Sequence, residues 1–232
     1  MENRITTGSE LIDSLLNKGY EKDIITSVYG PSGAGKTLLC ILCSIGISKS
    51  GKKVIYVDTE GGFSIERLEQ LTPEFEKILQ NMVFFRPTSF KEQKDAFEKL
   101  KGVIDNRTGL IVLDTVSMLY RLELGKSEEV YEINRELGQQ ISYLNEIARK
   151  KNIPVLITNQ VYADFQNKEN VKMVGGDILK YGSKCLIELK THKNGIRTAI
   201  LKKHRAINEG KEVSFKIVNE GIEEVNNNKV LF

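Results

Sequence analysis

No stretch of this 232-residue chain is apolar over the ~18 residues that a membrane-crossing helix needs. The opening Met-Glu-Asn-Arg-Ile-Thr-Thr-Gly lacks the apolar core of a secretory signal. Cysteine is scarce: Cys40, Cys43 and Cys185 are the three. An odd count excludes a fully paired disulfide framework, and Cys40-x-x-Cys43 has no second ligand pair to complete a zinc site. Both residues fall on the apolar stripe of a candidate helix, where cysteine packs as a small hydrophobe. A reducing cytoplasm is the expected setting. Repeats, low-complexity tracts and interdomain linkers are also missing, so residues 1–232 are expected to form one domain. The net charge of +3 is too small to imply a partner. With 40% hydrophobic and 28% charged residues, the composition is that of a globular protein.

What is present is more telling. Gly30-Pro31-Ser32-Gly33-Ala34-Gly35-Lys36-Thr37 satisfies Gly-x4-Gly-Lys-Thr. The glycines let successive backbone N–H groups curl round phosphate oxygens, Lys36 can reach the β and γ phosphates, and Thr37 can offer its hydroxyl to Mg²⁺. The β-branched run Ile24 to Tyr29 precedes the loop, and Leu38, Leu39, Ile41, Leu42 and Ile45 follow at helical spacing. Strand, glycine turn and helix N-terminus form the setting that a phosphate cradle requires. The chain is therefore expected to bind a nucleoside triphosphate, taken as ATP with Mg²⁺.

The rest alternates strands and helices. Leu11, Ile12, Leu15 and Leu16 share one face of a helix opened at Thr7-Gly-Ser-Glu and ended by Gly19. Strands are expected at Lys53–Asp58, Val83–Phe85, Leu110–Asp114 and Ile153–Thr158. Helices are expected from Ser64, from Thr72-Pro73, over Ser89–Ile104 and over Ser127–Lys150. This repetition predicts a mostly parallel sheet flanked by helices, an α/β fold of the P-loop NTPase class. After Gly175-Gly176 the pattern changes. Cys185–Thr191 and Ile196–Lys202 read as strands joined through Lys193-Asn194-Gly195, a hairpin signal, and Val213–Val218 as another, giving an antiparallel C-terminal extension.

Further site residues lie at strand ends. Asp114 closes Leu110-Ile-Val-Leu-Asp and is a candidate to hold Mg²⁺ with Thr37; the plainer alternative is a turn-capping Asp. Glu60, in Val57-Asp-Thr-Glu-Gly-Gly-Phe63, is a candidate general base for water, or part of an ordinary turn. Gln160 ends the strand through Asn159 and is either a γ-phosphate sensor or a solvated strand end.

Taken together, Gly-Pro-Ser-Gly-Ala-Gly-Lys-Thr, Tyr-Val-Asp-Thr-Glu-Gly-Gly-Phe, Leu-Ile-Val-Leu-Asp and Ile-Thr-Asn-Gln-Val resemble the RecA-type recombinases, and most of all their archaeal and eukaryotic branch. The likeness runs from about Thr6 to Val218 and includes the opening Thr-Thr-Gly-Ser-Glu-Leu-Ile-Asp-Ser-Leu-Leu; Gly175-Gly176 resembles the end of the family's second DNA-binding loop. The resemblance implies a RecA-like core. Lys36, Thr37 and Asp114 would bind MgATP, Glu60 would be the catalytic carboxylate, Gln160 the γ-phosphate sensor and Arg67 the residue packed on adenine. A guanidinium stacks well on a π-face; a solvated helix Arg is the alternative.

Only 29 residues precede the loop, so the helix–hairpin–helix domain and linker of the full-length recombinases are not in this sequence. The resemblance is therefore to a paralogue that consists of the bare ATPase core. It implies an accessory factor of recombinational repair with weak ATP hydrolysis, partnered by DNA, preferably single-stranded, by the main RadA-type recombinase and by a Holliday-junction resolvase, with self-association a further option. The charge distribution qualifies the DNA role. Val161–Val174 carries Lys168 and Lys172 against Asp164 and Glu169, and Arg121–Glu136 carries three basic and five acidic residues. Tyr162 and Phe165 can stack on bases or pack their loop onto the core. Lys180–Arg205 holds eight Lys/Arg against Glu188 alone. There Lys202, Lys203 and Arg205 are the candidates for DNA or for ATP on a neighbouring subunit; a solvated hairpin face is the plain alternative. Two other functions stay open: a nucleotide-switched protein-interaction module, and a RecA-like signalling ATPase.

Overall fold

The computed structural model describes residues 3–126, 129–163 and 171–225. The chain begins with β1 (Arg4–Ile5), α1 (Glu10–Leu15) and β2 (Tyr20–Glu21), and β1 and β2 pair antiparallel. Then come β3 (Ile25–Tyr29), α2 (Lys36–Lys49), β4 (Lys53–Asp58), α3 (Ile65–Leu71), α4 (Phe75–Gln80), β5 (Met82–Phe85) and α5 (Phe90–Val103). These are followed by β6 (Thr108–Asp114), α6 (Met118–Leu124), α7 (Val130–Lys151), β7 (Val155–Asn159), β8 (Val161–Ala163), β9 (Val171–Met173) and α8 (Gly176–Gly182). The chain closes with β10 (Cys185–Thr191), β11 (Ile196–Lys203), β12 (Glu212–Val218) and β13 (Gly221–Glu224).

Nine strands form one sheet in the order β13-β12-β11-β10-β3-β7-β6-β4-β5. From β10 to β5 every pair is parallel, and from β10 to β13 every pair is antiparallel. The pleat sends successive side chains to opposite faces. Val54, Tyr56, Leu110 and Val112 join Ile12, Leu39, Leu68 and Ile78 of α1–α4 on one face. Ile55, Val57, Ile111 and Leu113 join Phe97, Leu119, Leu144 and Leu179 of α5–α8 on the other. Strands buried on both faces explain the near-continuous apolar runs. The mainly parallel sheet, its flanking helices and its antiparallel extension are the architecture expected.

Several boundaries differ. The helix expected from Ser127 begins at Val130 and ends where Asn152 turns left-handed at φ 52°. Ser127 lies outside the described residues, as do Asp164, Phe165, Lys168 and Glu169. A short helix that was not expected, α6, ends within the first residues of the acidic segment, and α8 follows Gly175. Helix α1 stops at Leu15, and Asn17, Lys18 and Gly19 turn the chain through φ 50°, 83° and 108°. Asn194, at φ 60°, makes the turn between β10 and β11. Among the described residues no helix is long and apolar enough to cross a membrane. Cys40, Cys43 and Cys185 are buried free thiols, and burial raises the pKa of each, that of Cys185 to about 12.

Candidate functional site

The parallel strands deliver their C-terminal ends to one edge of the sheet, where open α/β sheets hold ligands. Gly30 leaves β3 pressed against β10, and a Cβ there would lie 2.4 Å from the Leu189 carbonyl oxygen. Gly33 (φ 72°) and Gly35 (φ 101°) carry the chain round to the first turn of α2. The N-terminal end of α2, with its unpaired N–H groups and positive dipole end, thus faces the space enclosed by the loop. That space is a cavity of about 250 Å³ lined by Lys36, Thr37, Glu60, Asp114, Thr115 and Gln160, together with P-loop backbone and Ile217.

Lys36 is buried, and its Nζ donates to the carbonyls of Gly30 (2.9 Å) and Pro31 (2.8 Å). Burial lowers its pKa, while Glu60 and Asp114 pull the other way. Asp114 is buried at the end of β6. Its Oδ1 accepts from Thr158 Oγ1 (2.5 Å), its Oδ2 accepts from the Tyr56 hydroxyl (2.9 Å), and Thr37 bonds the same carboxylate. Burial pushes the Asp114 carboxyl above the ordinary range against these three hydrogen bonds, and Asp58 adds to the rise. A buried carboxylate with a hydroxyl beside it is a hard-oxygen pair of the kind Mg²⁺ takes. Thr37 and Asp114 therefore fit that ion.

Asp58 and Glu60, two residues apart, have different surroundings. Asp58 accepts the backbone N–H groups of Glu60, Gly62 and Phe63 at 3.1–3.3 Å, which shapes the loop after β4. Glu60 is turned to the cavity, where its Oε1 accepts from Gln160 Nε2 (2.6 Å) and from Thr115 Oγ1 (2.9 Å). The residues read separately as base and sensor candidates are thus bonded to each other. The main-chain carbonyl of Gln160 accepts the Val174 N–H (3.1 Å), and Asn159 donates its side-chain amide to the Val174 carbonyl (2.8 Å). The base of the β8–β9 ribbon is thereby fastened beside the sensor.

Arg67 lies in the first turn of α3, outside the phosphate cavity. Its guanidinium donates to the carbonyls of Val218 (2.7 Å) and Asn219 (3.1 Å) and to Gln70 Oε1 (2.7 Å). Those bonds hold the plane by its edges. Lys202, Lys203 and Arg205 do not line the cavity either. Lys202 Nζ is 3.6 Å from Glu188, Lys203 Nζ donates to the carbonyls of Lys180 and Ser183 (2.8 Å each), and Arg205 pairs with Glu21 and Asp23 (2.8 Å each). The basic run is therefore less free than a charge count implies.

Four contributors escape a reading of the sequence. Thr115 follows Asp114 and holds Glu60. Thr158 and Tyr56 hold Asp114; Tyr56 at least lies in the quoted Tyr-Val-Asp-Thr-Glu run. Arg197, on β11, donates Nε to the Gly33 carbonyl (3.2 Å) and bridges 164 residues of sequence that no local pattern connects.

Comparison with known proteins places the chain in a family. The Rad51 family model matches residues 3–225. A protein of Methanobrevibacter smithii named "DNA repair and recombination protein RadB" is 44% identical over 218 residues, 91% of this chain and 92% of that one. A protein of the same name from Methanocaldococcus jannaschii is 43% identical over 216 residues, 92% of this chain and 99% of that one. A solved structure described as the RadB recombinase superposes with a TM-score of 0.82 at 38% identity, covering 96% of this chain and all of that one. The chain belongs to the Rad51 family of RecA-like proteins.

Proposed function

We propose that this chain binds MgATP, hydrolyses it slowly, and serves homologous recombination and DNA repair as a DNA-binding accessory to the main recombinase, with an influence on Holliday-junction processing. The observation that carries the ATPase reading is the convergence of the P-loop, Asp114, Glu60 and Gln160 on one cavity. Relatives named for DNA repair and recombination supply the biological setting. We read residues 3–225 as one ATPase domain, since the family match runs unbroken through them.

Each residue has a task in this reading. The Gly33–Thr37 amides and the N-terminus of α2 would receive the phosphates, and Lys36 would exchange its two carbonyl partners for phosphate oxygens. Mg²⁺, held by Thr37 and Asp114, would neutralise charge developing on the phosphates. Glu60 would take a proton from water with the oxygen that neither Thr115 nor Gln160 occupies. Gln160 would give up Glu60 for the γ-phosphate, and the Val174 contacts would carry that change into the β8–β9 ribbon. The exchange adds a conformational step before hydrolysis, which supports slow turnover. Arg67, its edges occupied, would offer a face to adenine.

The second reading, a nucleotide-switched protein-interaction module with negligible DNA binding, is favoured by one observation: Arg205 is neutralised by two carboxylates and Lys202 lies beside a third. A titration with labelled ATP and Mg²⁺ tests nucleotide binding, and Lys36→Ala is expected to abolish it. Anisotropy with single-stranded DNA over a salt series then separates the two functions. Affinity that falls steeply with salt supports the DNA role, and no measurable affinity at low salt favours the module.

A further inference from the structure

The parallel strands enter the sheet along the edge opposite the nucleotide cavity, and basic residues precede four of them. Lys184 comes directly before β10, Arg107 before β6 and Lys52 before β4, while Lys151 ends α7 on the approach to β7. Main-chain bonds draw these approaches together. The Lys184 N–H donates to Ile25 (3.0 Å), the Asp23 N–H to Ile153 (3.3 Å) and the Lys53 N–H to Arg107 (2.8 Å). The last turn of α7 adds Arg149. Lys52, Arg107, Arg149, Lys151 and Lys184 are all exposed, and none has an ion pair among the described residues. The acids beside them are already matched: Asp23 by Arg205 (2.8 Å), Asp105 by Lys53 (2.9 Å) and Glu146 by Lys150 (2.5 Å). Helices α2, α5 and α7 also end here, and the negative ends of their dipoles amount to about 1.5 charges. Five unmatched cations exceed that, so the edge keeps a positive field.

Neighbouring strands lie about 4.8 Å apart, so the four steps from β10 to β4 cover about 19 Å. One strand of a duplex presents a phosphate every ~3.4 Å of axis, about five over that length. Protein interfaces centre on apolar and aromatic side chains, and single-strand sites stack bases on aromatic rings. Of the exposed large apolar side chains only Tyr181 lies next to this edge in sequence, three residues before Lys184. We propose that the edge receives the phosphate backbone of duplex DNA. It uses none of the residues assigned above to nucleotide or DNA, so it adds a second surface to the DNA role and fails or stands apart from it.

Anisotropy of a labelled duplex of about 20 base pairs, with the full chain over a potassium chloride series, tests this. With five contacts, log K should fall with log salt at a slope of about −4.5. Lys52→Gln/Arg107→Gln/Lys151→Gln removes three contacts and should bring the slope to about −1.8, with weaker binding at every salt concentration. Each single substitution should lower the slope by about 0.9, which keeps the test if the triple variant loses stability. Lys91→Gln/Lys99→Gln/Lys216→Gln takes the same charge from exposed positions on α5 and β12 and should keep the wild-type slope. A wild-type slope in the edge variants, or an equal loss in that control, would overturn the proposal; single-strand affinity of the same proteins then shows whether the DNA role survives. A chain that binds single strands but no duplex would overturn it as well. Polyglutamate bound more tightly than duplex at equal salt would give the edge to an acidic protein instead.

Discussion

Thr115→Val is the sharpest probe of how the site works. Thr115 is buried, and its hydroxyl accepts the Met118 N–H (3.2 Å) while donating to Glu60 Oε1 (2.9 Å). The accepted N–H occupies a lone pair and leaves the hydroxyl proton for the carboxylate. Valine keeps the shape and removes both bonds. A hydrogen bond to a charged group is worth about 1.5–3 kcal/mol, so if the bond holds Glu60 in its working position, kcat should fall about 10- to 100-fold. The KM for ATP should hold, because Thr115 is not expected to touch the phosphates. Thr115→Ser restores the donor and should restore most of kcat, which a purely structural role would not require. The Met118 N–H, left without its acceptor at the start of α6, should cost about 1–2 kcal/mol of stability, measured as a lower urea midpoint. Phosphate-release kinetics under saturating ATP and Mg²⁺ are the assay. A Val variant that turns over at the wild-type rate, or a Ser variant as slow as Val, would refute the positioning role.

Three further outcomes are expected. Glu60→Gln keeps an oxygen for Thr115 and Gln160 but loses the base, so ATP binding should persist while turnover falls about 10²- to 10⁴-fold; unchanged turnover would remove Glu60 from the chemistry. Arg67→Ala should weaken ATP by about 1–2 kcal/mol but leave inorganic triphosphate unaffected, and equal losses for both would deny a role on the base. His204 has a buried side chain, its Nδ1 accepting the Ala206 N–H (3.0 Å), with Arg4 and Arg205 close by and Glu21 at 3.8 Å. Burial, then the two arginines, lower its pKa against the pull of Glu21, so below ~6.5 the unfolded chain binds more protons and stability falls. The urea midpoint should drop between pH 7.5 and 5, and His204→Gln should flatten that slope.

The parallel core and the P-loop were legible because their signals are local. A buried strand is a short apolar run, and a phosphate cradle is eight consecutive residues. Asp114 was readable for the same reason, as an acid closing an apolar strand. The partners of these residues were not. Nothing in the Asp-Thr-Glu sequence says that Asp58 will fold back on three amides while Glu60 turns to the cavity. The contact between Glu60 and Gln160 spans 100 residues and exists only because β4 and β7 both flank β6. Charge counting failed differently: it registered Arg205 as a free cation, yet Glu21 and Asp23 come from the distant β2 end to neutralise it. Helix α6 was missed because seven residues give too little periodicity to read.

The antiparallel extension resembles an appendage in sequence, yet its contacts make it part of the nucleotide site. Leu189 of β10 meets Gly30 so closely that no side chain fits there. Arg197 of β11 grips the Gly33 carbonyl, and Ile217 of β12 lies where a Cβ on Gly35 would be 3.3 Å away. The carbonyls that close β12 hold the plane of Arg67. The P-loop therefore leans on three successive strands of the extension at three of its glycines. Because loop carbonyls held outward turn the intervening N–H groups inward, Arg197 helps to shape a cradle whose ligand it need not touch. Arg197→Gln should then weaken ATP and ADP by the same factor, since both depend on the loop. A loss confined to ATP would instead make Arg197 a direct γ-phosphate contact.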